Sequence, residues 1–266
     1  MKIAYFDCFA GASGDMILGS LMDAGLETAQ LKAELAKLHL THYDLQVKKV
    51  VKNGVGGSQA MVLVDEAHHH QHHRHLADIK DIIAHSGLEN SIQQKSIAIF
   101  TRLAEVEAKI HQTTIEQIHF HEVGAMDAII DVVGAVAGIA ALGIQKVFCS
   151  PLHLGSGTVE CAHGTLPVPA PATAELVKGK PVYSTGVVGE LLTPTGAAIL
   201  TTLASDFGPM PAMSVEKIGY GAGTSEPAIP NLLRVMIGQT AEDVKEVEMA
   251  QEDYKRVALE KGVPLK

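Results

Sequence analysis

The chain has no tryptophan, and aromatic residues fill only 4% of its 266 positions, so the core is built from Ala, Val, Leu and Ile. Its three cysteines, Cys8, Cys149 and Cys161, form neither a Cys-x-x-Cys pair nor an even-numbered framework. That argues against a secreted disulfide scaffold and fits a reducing cytoplasm. No stripe of Lys and Arg occurs, and a formal charge of −9 from 30 acidic against 21 basic residues argues against nucleic acid and anionic membrane as partners. The longest apolar run, Val132 to Ile144, is too short to cross a bilayer and follows closely on Asp127 and Asp131. The N-terminus carries Asp7 where a signal peptide would place its apolar stretch. With 47% hydrophobic and 19% charged residues, the composition is that of a soluble globular protein of one large or two modest domains.

The fold class expected is α/β, mixed α+β in the second half, with glycine-loop strand-helix units around a mixed sheet. Ile3 to Phe6 reads as a strand, Gly11-Ala12-Ser13-Gly14-Asp15 as a glycine loop and Met16 to Ala24 as the helix it feeds. A further helix is expected near Leu31 to Leu38. Leu45 to Val51 and Ala60 to Val64 read as a hairpin around Asn53-Gly54-Val55-Gly56-Gly57. Leu76 to Ala84, Ile92 to Ile110 and an apolar stretch ending near Leu142-Gly143 have helical period, and Lys146 to Cys149 reads as a strand. Pro and Gly become frequent from Ser150 onward, with short helices at Ala172 to Val177 and Gly196 to Leu203. The expected division is therefore a metal-handling domain over 1–150, a Pro/Gly-rich α/β domain over 151–240 and a charged helical tail over 241–266.

What the sequence has in excess is histidine, 14 in all. His68, His69, His70, His72, His73 and His75 crowd one predicted surface loop, and clustered imidazoles take up nickel, copper and zinc almost by composition. A flexible tract has no fixed geometry and so stores or ferries an ion; the alternative is a solvated polar loop. A more ordered candidate is His119-Phe120-His121-Glu122 leading to Asp127 and Asp131. In an extended segment the two histidines point one way, and helical spacing puts the two aspartates on one face. Mixed nitrogen and oxygen ligands at a helix start suit a site with open coordination positions. The competing reading has the acids merely offsetting the helix macrodipole.

The Gly11–Asp15 loop lies where glycines and a helix N-terminus offer amides to an anion, with Gly11, Ser13 and Gly14 as phosphate contacts and Asp15 holding a bridging metal or a ribose hydroxyl. An ordinary capped turn is the alternative. Thr193-Pro194-Thr195-Gly196-Ala197 and Gly219-Tyr220-Gly221-Ala222-Gly223-Thr224 read as two further small-residue loops that form anion nests or simple turns, with Thr195 and Gly196 the phosphate candidates. Cys149 with His153, and Cys161 with His163, pair thiol and imidazole at short range; Cys149 reads as buried and inert, whereas Cys161 stays open between a nickel relay and an inert thiol.

Taken together, Tyr5-Phe6-Asp7-Cys8-Phe9-Ala10-Gly11-Ala12-Ser13-Gly14-Asp15-Met16, the histidine tract, His119-Phe120-His121-Glu122-Val123-Gly124, Asp127 with Asp131, His163-Gly164-Thr165-Leu166-Pro167-Val168-Pro169-Ala170-Pro171, Leu192-Thr193-Pro194-Thr195-Gly196-Ala197 and Gly219-Tyr220-Gly221-Ala222-Gly223 resemble the LarC nickel-insertion family. The resemblance implies a cytoplasmic nickel chelatase of the lyase class. Such a protein inserts Ni2+ into pyridinium-3,5-bisthiocarboxylic acid mononucleotide, using CTP with Mg2+ or Mn2+, to make the nickel-pincer cofactor that activates lactate racemase. Members of that family usually continue into a C-terminal domain associated with nucleotide binding, whereas here Met236-Ile237-Gly238 is soon followed by a tail ending Gly262-Val263-Pro264-Leu265-Lys266. A separate chain carrying that domain is therefore an expected partner, and a homo-oligomer the expected assembly.

In this reading the tract concentrates nickel, and His119, His121, Glu122, Asp127 and Asp131 hold it in a partly open site where Asp15, His121 and Glu122 are the catalytic candidates. Thiocarboxylate sulfurs then displace protein ligands, because sulfur holds nickel more tightly than carboxylate oxygen does. Two alternatives stand beside it: a nickel storage or delivery subunit without chelatase activity, and a metal-dependent phosphohydrolase built on the same acids and histidines.

Overall fold

The computed structural model of the protein describes residues 1–64, 74–118, 120, 126–161 and 163–240. In chain order the elements are β1 (Lys2–Asp7), α1 (Gly14–Asp23), α2 (Thr28–Ala36), β2 (Tyr43–Lys52), β3 (Val55–Val64), α3 (Leu76–Ala84), α4 (Asn90–Ile110) and α5 (Met126–Ala141). There follow β4 (Lys146–Cys149), β5 (Leu152–His153), β6 (Gly155–Ser156), β7 (Thr158–Cys161), β8 (Gly164–Pro167), α6 (Pro171–Leu176), β9 (Val182–Tyr183), β10 (Gly189–Glu190), α7 (Pro194–Leu203), β11 (Ala204–Phe207), β12 (Met213–Ala222) and β13 (Leu232–Thr240). Among the described residues no helix is long and apolar enough to cross a membrane.

Seven strands form one mixed sheet in the order β11-β4-β1-β13-β12-β3-β2. β1 lies near its middle, parallel to β4 and antiparallel to β13, as expected of a short apolar run buried along most of its length. The chain before residue 150 supplies β1 to β4 and the chain after it supplies β11 to β13, so the two expected segments share one sheet. They also share one core, in which Phe6, Ile129, Leu192 and Ile237 are all sealed from solvent. The expected tail over 241–266 lies outside the described residues.

The hairpin turn is tighter than the glycine-rich stretch suggests. Asn53 and Gly54 both adopt positive φ, 49° and 83°, the signature of a two-residue turn whose twist matches the strands. Val55, Gly56 and Gly57 already belong to β3.

A second difference concerns Gly219-Tyr220-Gly221-Ala222, expected as a loop. These residues form the end of β12, paired with Val235, Arg234, Leu233 and Leu232 of β13. Their glycines serve packing rather than an anion nest, because α1 lies directly on this strand. A Cβ on Gly221 would stand 2.5 Å from the Ser20 nitrogen, and one on Gly219 2.5 Å from the Ala24 nitrogen. Only side-chain-free positions permit that approach, and it fixes where the N-terminus of α1 projects.

Candidate functional site

Three helices begin at one cleft of about 490 Å³. Ser13, Gly14 and Asp15 bring the start of α1, Asp127 that of α5, and Thr193, Pro194 and Thr195 that of α7, while Asp131, Glu190, Thr224 and the β3 residues Met61 and Leu63 complete the lining. The first amides of a helix have no acceptor within it, and the macrodipole adds partial positive charge there. The cleft therefore combines a preference for anions with a set of carboxylates, a pairing that suits a phosphate bridged to a divalent cation.

The loops that place these residues are locked to one another. Ala12 N–H donates to the Leu191 carbonyl at 2.9 Å and Thr193 N–H to the Ala12 carbonyl at 3.1 Å. Gly11 and Gly196 make this crossing possible: a Cβ on Gly11 would lie 2.7 Å from the Leu191 Cβ, and one on Gly196 2.6 Å from the Ala12 carbonyl carbon. Their own amides are committed, Gly11 N–H to the Cys8 carbonyl at 3.0 Å and Gly196 N–H to Thr193 Oγ1 at 3.2 Å. These two glycines thus interlock the two loops, while Gly14 and Thr195, at the starts of α1 and α7, line the cleft itself. Thr193 is the N-cap of α7.

The acids differ in environment. Asp15 accepts from Ser13 Oγ and, at 2.9 Å, from the Met16 N–H. Burial raises its carboxyl above the usual range, those hydrogen bonds pull the other way, and the charge of Asp127 adds to the rise. Asp131 is the most perturbed: burial, then the charges of Asp15 and Asp127, hold its carboxyl well above the ordinary value. Its Oδ1 is inaccessible and has no hydrogen-bond partner, and the residual exposure lies elsewhere on the residue. Its side chain fits because Gly14 has none; a Cβ there would stand 2.6 Å from the Asp131 Cβ. Asp127 is exposed and accepts from the Ala128 N–H at 2.9 Å.

Of the residues expected at the site, Ser13, Gly14, Asp15, Asp127, Asp131 and Thr195 are thus brought together. His75 is placed elsewhere. It precedes α3, its N–H donates to Asp78 Oδ2 at 2.8 Å and its Nδ1 lies 3.1 Å from the Ile118 carbonyl, so the ring fastens the start of α3 to the segment before Phe120. His68, His69, His70, His72, His73, His119, His121 and Glu122 lie outside the described residues. Among the described residues no group of three or more His, Cys, Asp or Glu side chains is already gathered closely enough to hold a metal ion. His153 is a buried structural residue: Nε2 accepts from Thr185 N–H at 3.2 Å, so Nδ1 carries the proton given to the Phe9 carbonyl at 2.8 Å, and the ring stacks on Tyr183. Cys149 faces Cys8 at 3.5 Å with both thiols fully buried, in keeping with an inert core thiol.

A family model described as "Nickel insertion protein" matches residues 4–266. The chain belongs to that family. It is 56% identical over 245 residues to a protein of Desulfitobacterium hafniense named pyridinium-3,5-bisthiocarboxylic acid mononucleotide nickel insertion protein, an alignment covering 92% of this chain and 60% of the relative. A protein of the same name from Acetivibrio thermocellus is 47% identical, covering 92% of this chain and 62% of that one, and a putative nickel insertion protein of Dictyoglomus thermophilum is 48% identical at 92% and 63%. The chain thus spans about three-fifths of the length of these curated relatives. No solved structure matches it.

One residue of the cleft escaped sequence reasoning. Glu190 follows Gly189, whose φ is +117°, in a stretch with no recognisable motif. The only signal is a single acid among the small and apolar residues from Thr185 to Leu192.

Proposed function

We propose that the protein inserts nickel into pyridinium-3,5-bisthiocarboxylic acid mononucleotide, with the three-helix cleft as the seat of the nucleotide phosphate. The observation that carries this reading is the convergence of the α1, α5 and α7 N-termini on the cluster of Asp15, Asp127 and Asp131, supported by family membership and the names of the relatives. The amides of Gly14 and Thr195, with the Thr195 hydroxyl, bind phosphate oxygens, and Ser13 joins them when its hydroxyl turns from Asp15. The all-oxygen acid set suits Mg2+ or Mn2+, which offsets repulsion between phosphate and carboxylates, and Asp131, which lines the cleft, adds a carboxylate to that set.

Nickel is the substrate metal. The tract of His68, His69, His70, His72 and His73 concentrates it, and His119, His121 and Glu122 pass it on to the substrate. Its exchange from imidazole and carboxylate to the two thiocarboxylate sulfurs follows ligand preference. Within the same reading the reaction consumes CTP and is of the lyase class, the product activates lactate racemase, and the protein works in the cytoplasm as a homo-oligomer or with a partner chain that binds nucleotide.

The test is incubation of the purified chain with Ni2+, CTP, Mg2+ and the mononucleotide, followed by absorbance of the nickel-pincer product and activation of apo lactate racemase. Product that disappears in Asp15→Asn and in His119→Ala/His121→Ala supports the reading. Full maturation by both variants overturns the assignment of the site.

A further inference from the structure

A second cavity of about 340 Å³ adjoins the cleft, with Glu190 and Pro194 lining both. It lies where the C-terminal end of α4, the β7–β8 hairpin and the start of α6 meet, and most of its wall is apolar, including Phe120 and Leu166. Its polar groups are of a different kind from those of the cleft. His111 directly follows α4, and its ring centroid is 5.0 Å from that of His163 on the hairpin. Glu107, one turn earlier on α4, has Oε2 3.4 Å from His111 Nε2. Cys161 stands across the hairpin turn, its thiol donating to the Gly164 carbonyl at 3.3 Å.

We propose that this cavity is a docking site for a borderline divalent metal, nickel in transit, with the His111 and His163 imidazoles and the Cys161 thiolate as ligands and Glu107 positioning His111. Ligand softness distinguishes the two neighbouring cavities. The charged groups of the cleft are all carboxylates, the choice of Mg2+ and Mn2+, whereas the cavity adds two imidazoles and a thiol to its carboxylates, donors that nickel prefers. The carboxyl end of α4 points at His111, so its partial negative charge favours a cation there. Glu190 and Pro194, common to both cavities, mark the route by which an ion held here reaches a substrate in the cleft. The ligands are not closed around an ion: the rings are tilted at 38° and the thiol is turned toward Gly164. Side-chain rotation at these positions, which are at least partly exposed, assembles them, and such an open site can release what it takes. Binding expels the Cys161 proton to solvent, because the thiolate is the ligand.

This inference takes the identity of the ion from the nickel reading above, but its test needs neither mononucleotide nor CTP, so the two can fail separately. The full chain with His68, His69, His70, His72 and His73 replaced by Ser is titrated with Ni2+, and the thiolate-to-nickel charge-transfer absorption in the near ultraviolet is recorded. A band that is abolished by Cys161→Ser and retained in Cys149→Ala is expected. His111→Ala/His163→Ala should weaken nickel binding by more than about tenfold, since loss of even an outer-shell partner costs 10- to 100-fold. Absence of the band, its survival in Cys161→Ser, or unchanged affinity in the folded double-histidine variant overturns the proposal. Circular dichroism of each variant separates loss of ligand from loss of fold.

Discussion

The carboxylate of Asp131 occupies the space that a side chain at Gly14 would need, a Cβ there falling 2.6 Å from the Asp131 Cβ. One residue opens α1 and the other lies one turn into α5, so the deepest acid of the site and the helix start beside it are a single packing unit.

Gly14→Ala should therefore cost about 1–3 kcal/mol, the range for overpacking a filled interior. Urea denaturation is the measurement. Adding Asp131→Gly to the same chain should recover part of the loss, whereas additive effects would show that the two positions do not compete for space.

Asp131→Asn should stabilise the metal-free protein at neutral pH. The folded-state carboxyl is held well above its ordinary value, so the folded chain binds that proton more tightly than the unfolded one. Its contribution favours folding below about pH 4 and is lost as pH rises from there through the raised folded value. The variant should match wild type in acid and exceed it by about 1–3 kcal/mol at pH 7, because the amide cannot take on the unpaired buried charge that the carboxyl must either carry or neutralise. Melting curves across pH, repeated with Mn2+, check this; the cation should raise Tm in wild type and far less in the variant.

His153→Ala should destabilise by about 2–4 kcal/mol, since it strands the Phe9 carbonyl and the Thr185 amide and removes the stack on Tyr183. Nickel stoichiometry should be unchanged. A fall in bound nickel would make the residue a ligand after all.

Two glycines should differ sharply in how much a substitution costs. Gly54→Ala meets nothing within 4 Å and faces only the strain of φ +83°, a cost of about 1–2 kcal/mol. Gly221→Ala would press a methyl group against the Ser20 nitrogen at 2.5 Å and should yield little folded protein. Soluble yield and thermal melts distinguish them.

Thr193→Ala should cost about 1 kcal/mol through loss of the cap to the Gly196 N–H, and should loosen phosphate-analogue binding more than Thr193→Ser does, because Ser restores the cap.

The sequence by itself determined the local elements and the chemistry available. Apolar runs and periodicity marked β1, α4 and α5, the Asn53-Gly54-Val55-Gly56-Gly57 stretch marked the hairpin though not its exact turn, and the spacing of Asp127 and Asp131 put both on one face of a helix. These signals are short-range, carried by residues within a turn or two of each other. Tertiary structure alone decided that α1, α5 and α7 start at one place, that Gly11 and Gly196 lock loops some 180 residues apart, and that Gly219 and Gly221 are a strand under a helix rather than a nest. It also decided that Glu190 joins the cleft and that His111 meets His163. Each of these depends on which surfaces pack together, and close approach of backbone to backbone leaves in the sequence only a glycine, the same mark a turn leaves.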